Sequence, residues 1–136
     1  MDDRALPRLS PTVLLVDDET AIRHLLGRRV EANGYRVILA ASGREALEIL
    51  TQEVATIDLL LTDVMMPGLI GPQLAAIVQS RWPSVRQLAM TGGGTDTALR
   101  LMGESNMQCL RKPFTDPELR EALKTALSGP EKPATQ

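Results

Sequence analysis

The sequence predicts an α/β domain, a five-stranded parallel sheet with helices on both faces. Three observations predict it. Five short apolar runs alternate with amphipathic segments through most of the 136 residues. The central run, Asp58 to Thr62, is apolar without alternation, as a strand covered on both faces must be. Polar side chains follow directly on four of the runs, where open α/β sheets bind their ligands.

Taken in order, Thr12-Val-Leu-Leu-Val16 is a β-branched apolar run that stops at two acids. Glu19 to Asn33 carries Ile22, Leu25, Leu26 and Val30 at helical spacing, which predicts one inward stripe, and Asn33-Gly34 is a stop signal. Tyr35 to Ala40 reads as a second strand. Ser42-Gly-Arg-Glu45 has capping-box spacing and opens a helix through Leu50. After the third strand, Gly71-Pro72 starts a third helix, with Leu74, Ile77 and Val78 inward. Val85 to Met90 is the fourth strand, Thr95 to Gly103 a weaker fourth helix, and Met107 to Arg111 the fifth strand. The last helix, Asp116 to Leu127, places Leu119, Ala122, Leu123, Ala126 and Leu127 on one face. Successive βα units of this kind wind a parallel sheet. The domain is predicted over 12–128, with polar tails at 1–11 and 129–136.

Composition excludes several function classes. A net charge of -2 offers no general attraction to nucleic acid or anionic lipid. Only Tyr35, Trp82 and Phe114 are aromatic, too few for a base-stacking or flavin-stacking platform. Cys109 is the sole cysteine, so no internal disulfide exists and a reducing compartment is suited. Without a signal peptide or an apolar span, a cytoplasmic protein with no membrane contact is expected. Arginine outnumbers lysine 12 to 3, so a lysine at a special position is informative.

The residues following strands one, three, four and five are Asp17-Asp18, Asp63, Thr91 and Lys112. All converge on one rim of the predicted sheet. Three adjacent carboxylates repel one another and require a counter-ion. An oxygen-only donor set points to Mg²⁺. One divalent cation and one ammonium balance the three carboxylates, and phosphoryl transfer rests mostly on such positioning and charge neutralisation. A carboxylate is a competent nucleophile toward phosphorus, Thr91 offers a hydroxyl donor, and Lys112 offers a point charge for a phosphate oxygen.

The strings Val16-Asp17-Asp18-Glu19, Leu60 to Gly68 (LLTDVMMPG), Met90-Thr91-Gly92 and Lys112-Pro113-Phe114 resemble the response-regulator receiver family of two-component systems. The resemblance covers about residues 12–128. It implies a flavodoxin-like sheet of order 2-1-3-4-5, with Asp63 as phosphoacceptor. It further implies that Asp17, Asp18, Asp63 and the backbone carbonyl of Met65 hold Mg²⁺, and that Thr91 and Lys112 contact the phosphoryl group. A cis Lys112-Pro113 bond is implied too. The donor would be a histidine kinase or a histidine phosphotransfer protein, and the site would later hydrolyse its own acyl phosphate without acting as an enzyme on other substrates.

Three positions depart from the family pattern. Cys109 stands where a tyrosine or phenylalanine is usual three residues before the lysine, which touches signal transmission and not the charge set. Gly92-Gly93-Gly94 makes the loop after Thr91 permissive, and its order is expected to depend on phosphorylation. Ile70 replaces a frequent acid, and the string Met66 to Ala75 resembles receivers of hybrid sensor kinases, so a stand-alone receiver and one cut from a larger kinase both stay open. Met1 and the short tails favour the first. Ser128 to Gln136 is too short for a DNA-binding domain, so output is expected through protein contact or relay, as a monomer or a weak phosphorylation-dependent dimer using Leu99, Leu101 and Met102.

The rival readings are a structural receiver that binds without phosphorylation, a small aspartate-nucleophile phosphohydrolase, and a flavodoxin-like electron carrier. The first would mark itself by a lost key residue. The second needs paired acids two residues apart after the first strand, here Asp17 and Glu19, together with a cap domain. The third needs a hydroxyl-rich phosphate loop and aromatic walls. His24, beside the apolar stripe of the first helix, reads as a structural residue and not as a phosphodonor.

Overall fold

The computed structural model describes residues 10–64, 71–92 and 108–128. Outside these lie Met65, the predicted fourth helix with Leu99, Leu101 and Met102, Gly93-Gly94, Ile70, Met107 and most of both tails.

Five strands form one parallel sheet: β1 (Thr12–Val16), β2 (Arg36–Ala40), β3 (Leu59–Asp63), β4 (Arg86–Thr91) and β5 (Gln108–Arg111). Their order is β2-β1-β3-β4-β5, so the chain steps outward to β2 and then returns across β1 to continue on the other side. The described helices are α1 (Thr20–Ala32), α2 (Gly43–Glu53), α3 (Gly71–Arg81) and α4 (Asp116–Ser128). A single 3-10 turn, Val54–Thr56, carries the chain from α2 toward β3.

Residue alternation assigns the two faces. Val13, Leu15, Leu59, Leu61, Leu88 and Met90 pack with Leu26 and Val30 of α1 and Leu119 and Leu123 of α4. Leu14, Val16 and Leu60 point the other way, onto Ala46 and Leu50 of α2 and Leu74 and Val78 of α3. Both sides of β3 are therefore covered, and Leu59, Leu60, Leu61 and Thr62 are wholly buried. This is the physical meaning of its unbroken apolar run.

Local signals place several ends. The Ser42 hydroxyl accepts from the Glu45 amide at 3.1 Å, and the Glu45 carboxylate accepts from the Ala41 amide at 2.6 Å, closing the capping box one residue before the cap. Gly34 adopts a φ of 97°, which releases the chain from α1 into β2 at no cost to a Cβ. The third strand starts one residue later than predicted. Asp58 turns its side chain to the Thr12 amide at 2.8 Å and its carbonyl to the Arg86 amide at 3.1 Å.

The predicted inward stripe of α1 needs correction. Leu26 and Val30 are buried, but Ile22 and Leu25 are 36% and 61% exposed. The buried face turns through Gly27 instead. A Cβ there would lie 3.2 Å from Leu39 Cδ2, so the glycine lets α1 settle closely on β1 and β2. Ile22, Leu25, Leu26 and Arg29 do share a stripe, but it lines an open groove of about 190 Å³ completed by Lys112, Pro113 and Phe114. His24 is exposed on the same helix. Trp82 is half-buried just past the end of α3, against the α2–α3 core. No helix among the described residues is long and apolar enough to cross a membrane.

Candidate metal and phosphoryl site

The topological switch lies between β1 and β3, the adjacent strands from which the chain departs in opposite directions, and ligand crevices form at the carboxyl ends of such strands. Register brings the ends together. Val16 pairs with Thr62, Asp63 with Met90, and Thr91 with Arg111. Backbone bonds continue the pairing past the strands, with the Lys112 amide donating to the Thr91 carbonyl at 2.7 Å and the Val64 amide to the Met90 carbonyl at 2.9 Å. Asp17, Asp18, Asp63, Thr91 and Lys112 thus share one edge, as the sequence predicts.

Carboxylate oxygens of Asp17, Asp18 and Asp63 lie within 4.8 Å of one another. Asp17 is 1% exposed, whereas Asp18 is open to solvent. The Asp17 Oδ1 atom accepts from the Glu19 amide at 2.9 Å. Its Oδ2 is buried and has no hydrogen-bond partner among the described residues. Lys112 Nζ reaches Asp63 Oδ2 at 3.0 Å but only approaches Asp17 Oδ2 at 3.6 Å, an ion pair beyond hydrogen-bonding distance. One ammonium thus pairs with two of the three carboxylates, and the buried Asp17 Oδ2 makes no hydrogen bond among the described residues. A small hard cation bound by oxygen fits this donor set, and the cluster can hold a metal.

Lys112 responds to the same charges. Burial by itself would lower its pKa, but the hydrogen bond and charge of Asp63, followed by the charge of Asp17, outweigh burial and hold it above the ordinary lysine value. The ammonium is therefore charged throughout the physiological range. Its ion pairs contribute stability below the unfolded-state pKa, and that contribution is lost as the pH rises through the higher folded-state value. A lysine suits this place because a compact point charge can sit between two carboxylates.

Thr91 is 1% exposed, and its Oγ1 has no hydrogen-bond partner among the described residues. A buried hydroxyl of this kind costs stability unless something else accepts from it. The peptide between Lys112 and Pro113 is cis, as the resemblance implies. Met65 lies outside the described residues.

Sequence reasoning missed two arginines. Arg23 Nη1 donates to the Asp17 carbonyl at 2.8 Å, fastening the acidic turn to α1. Arg29 reaches the loop after Lys112. Both contacts involve backbone carbonyls that no side-chain pattern reveals.

Cys109 sits on β5 opposite Ala89, exposed as a residue, and burial pushes its thiol pKa up. A redox sensor needs the opposite shift. The pH profile of Cys109 alkylation by iodoacetamide should accordingly inflect above the ordinary thiol value. An inflection below the ordinary thiol value would contradict that environment.

Comparison with known proteins agrees with this geometry. Residues 13–124 match the family model described as the response regulator receiver domain. The chain is 36% identical over 119 residues to the sensor kinase CckA of Brucella abortus, a match covering 87% of this chain and 13% of the kinase. It is 32% identical over 123 residues to the sporulation initiation phosphotransferase F of Bacillus subtilis, covering 88% of this chain and 95% of that protein. A response regulator receiver domain from Clostridium thermocellum superposes with a TM-score of 0.79 at 32% identity, covering 86% of this chain and 94% of that one. Against the sensor kinase and the response regulator FleR of Pseudomonas aeruginosa, by contrast, the chain spans only 13% and 22% of their length. Fold, strand-end chemistry and relatives converge, and the chain belongs to the response regulator receiver family of two-component signalling.

Proposed function

We propose that Asp63 accepts a phosphoryl group from a phosphohistidine of a histidine kinase or histidine phosphotransfer protein, with Mg²⁺ held by Asp17, Asp18 and Asp63. The observation that carries the reading is the convergence of three carboxylates within 4.8 Å, with Lys112 bonded to Asp63 at 3.0 Å. Bound Mg²⁺ supplies neutralisation of the charge on phosphoryl oxygens. A carboxylate oxygen of Asp63 attacks phosphorus, the P–N bond breaks, and its electron pair returns to the imidazole nitrogen. Lys112 then holds one phosphoryl oxygen as a point charge, and the buried Thr91 hydroxyl donates to another. Water later attacks phosphorus, the bond between phosphorus and the Asp63 oxygen breaks, and inorganic phosphate leaves with the carboxylate restored. The domain is thus a phosphoacceptor that acts on itself and turns over no separate substrate.

Incubation with acetyl phosphate and Mg²⁺ tests this by intact mass. One added phosphoryl group, lost without Mg²⁺, is the expected result. An unchanged mass under the same conditions would overturn the reading.

The groove lined by Ile22 and Leu25 opens beside Lys112, where a donor carrying the phosphohistidine would seat. Exposed apolar side chains at that place favour protein contact. Leu25→Arg should lower transfer from a phosphorylated phosphotransfer domain about tenfold, the effect of losing one apolar anchor, while leaving the acetyl phosphate rate unchanged. Equal losses with both donors would place Leu25 in the chemistry instead.

A further inference from the structure

Lys112 belongs to a short connection between β5 and α4, and a connection of this kind is free to drift unless something fixes it. Arg29, on the exposed flank of α1, reaches across to it in three ways. Its Nη2 donates to the Phe114 carbonyl at 3.0 Å. Its Nε donates to Asp116 Oδ1 at 2.9 Å. Its guanidinium carbon lies 4.8 Å from the centre of the Phe114 ring. The Phe114 ring in turn packs against the α1–α4 side of the core. One planar fork therefore grips a carbonyl, a carboxylate and an aromatic face on the two residues bracketing Thr115.

The parts are unequal. Asp116 is 67% exposed, so its ion pair is screened and contributes little. The half-buried carbonyl bond and the ring contact are better shielded and directional. Lysine offers no second fork arm to make both together.

We propose that Arg29 is a positioning residue, locking the loop at Phe114 to α1 and so holding Lys112 over Asp63. Its kinetic consequence rests on the reading of Asp63 as phosphoacceptor; the latch itself does not. Arg29 touches neither Asp63 nor Asp17 in this arrangement and acts only through the loop.

Two measurements on the full chain test it. In the first, backbone amide exchange is followed by NMR in Arg29→Met, which keeps the aliphatic stem. The Lys112, Phe114 and Thr115 amides should exchange about tenfold faster, with the Leu60 and Leu61 amides of β3 unchanged, because the opening is local. Unchanged loop exchange, or equal acceleration in β3, would overturn the latch.

In the second, the acetyl phosphate rate is compared in a double-mutant cycle. Arg29→Met should lower the rate about tenfold, as small misplacements of a reacting group do. Arg29→Lys should recover only part of the loss, and Asp116→Asn should leave the rate near that of the parent. In a Lys112→Ala background the Arg29 change should have no further effect. A full additional tenfold loss there would overturn the route through Lys112. Should the parent take up no phosphoryl group while loop exchange still responds, the latch stands and the phosphoacceptor reading falls.

Discussion

Asp63→Asn should abolish phosphoryl uptake from acetyl phosphate, with no added mass on the intact chain. Asparagine keeps the size of the side chain and an oxygen able to accept from Lys112, now 3.0 Å from the carboxylate. What it removes is the proposed nucleophile. An amide oxygen cannot form the acyl phosphate, and the neighbouring Asp17 and Asp18 cannot replace it if Asp63 alone is placed for attack. Asp63 is only partly buried, at 14% side-chain exposure, so the substitution should leave the fold cooperative and melting close to the parent. Persistent uptake in Asp63→Asn would show that another carboxylate carries the chemistry. A collapsed melt would show instead that the Asp63–Lys112 pair is structural.

Asp17→Asn should have the second largest effect, and its two consequences run in opposite directions. If Asp17, Asp18 and Asp63 hold Mg²⁺ in the folded state alone, as proposed, added Mg²⁺ should stabilise the parent by about 2.7 kcal/mol at a hundredfold excess over its dissociation constant. For a domain of this size that amounts to a rise in Tm of roughly 9 °C. The rise should vanish in Asp17→Asn. Without Mg²⁺, however, the variant should melt at or above the parent. Asparagine can still accept from the Glu19 amide, and the like-charge repulsion among three carboxylates within 4.8 Å is relieved. Calorimetry with and without Mg²⁺ separates the two effects. A variant keeping the whole Mg²⁺-dependent rise would remove Asp17 from the metal site, leaving its unsatisfied Oδ2 without an explanation.

The site was more legible than the helix surface. Asp17, Asp63, Thr91 and Lys112 each stand at or just past the carboxyl end of a strand, where open α/β sheets bind their ligands. Their position therefore encodes both the boundary and the rim. The stripe on α1 misled because Ile22 and Leu25 have helical spacing whether they face the sheet or a groove, and periodicity carries no information about what lies opposite. Gly27 was the missing clue. A residue without a side chain leaves no mark in a hydrophobic pattern, yet it decides which face of α1 approaches Leu39.

The sequence by itself determined the alternation of strands and helices and the family, because both are written in side-chain period and in four short motifs. It also determined the chemical inventory of the rim, since carboxylates, a hydroxyl and an ammonium keep their chemistry in any fold. Tertiary structure alone decided how these groups meet. Lys112 stands nearer Asp63 than Asp17, Asp17 keeps a buried oxygen unbonded, and Arg29 reaches 85 residues along the chain to a Phe114 carbonyl. Such contacts depend on distances between elements far apart in sequence and on backbone atoms that every residue shares, so no pattern of side chains can specify them in advance.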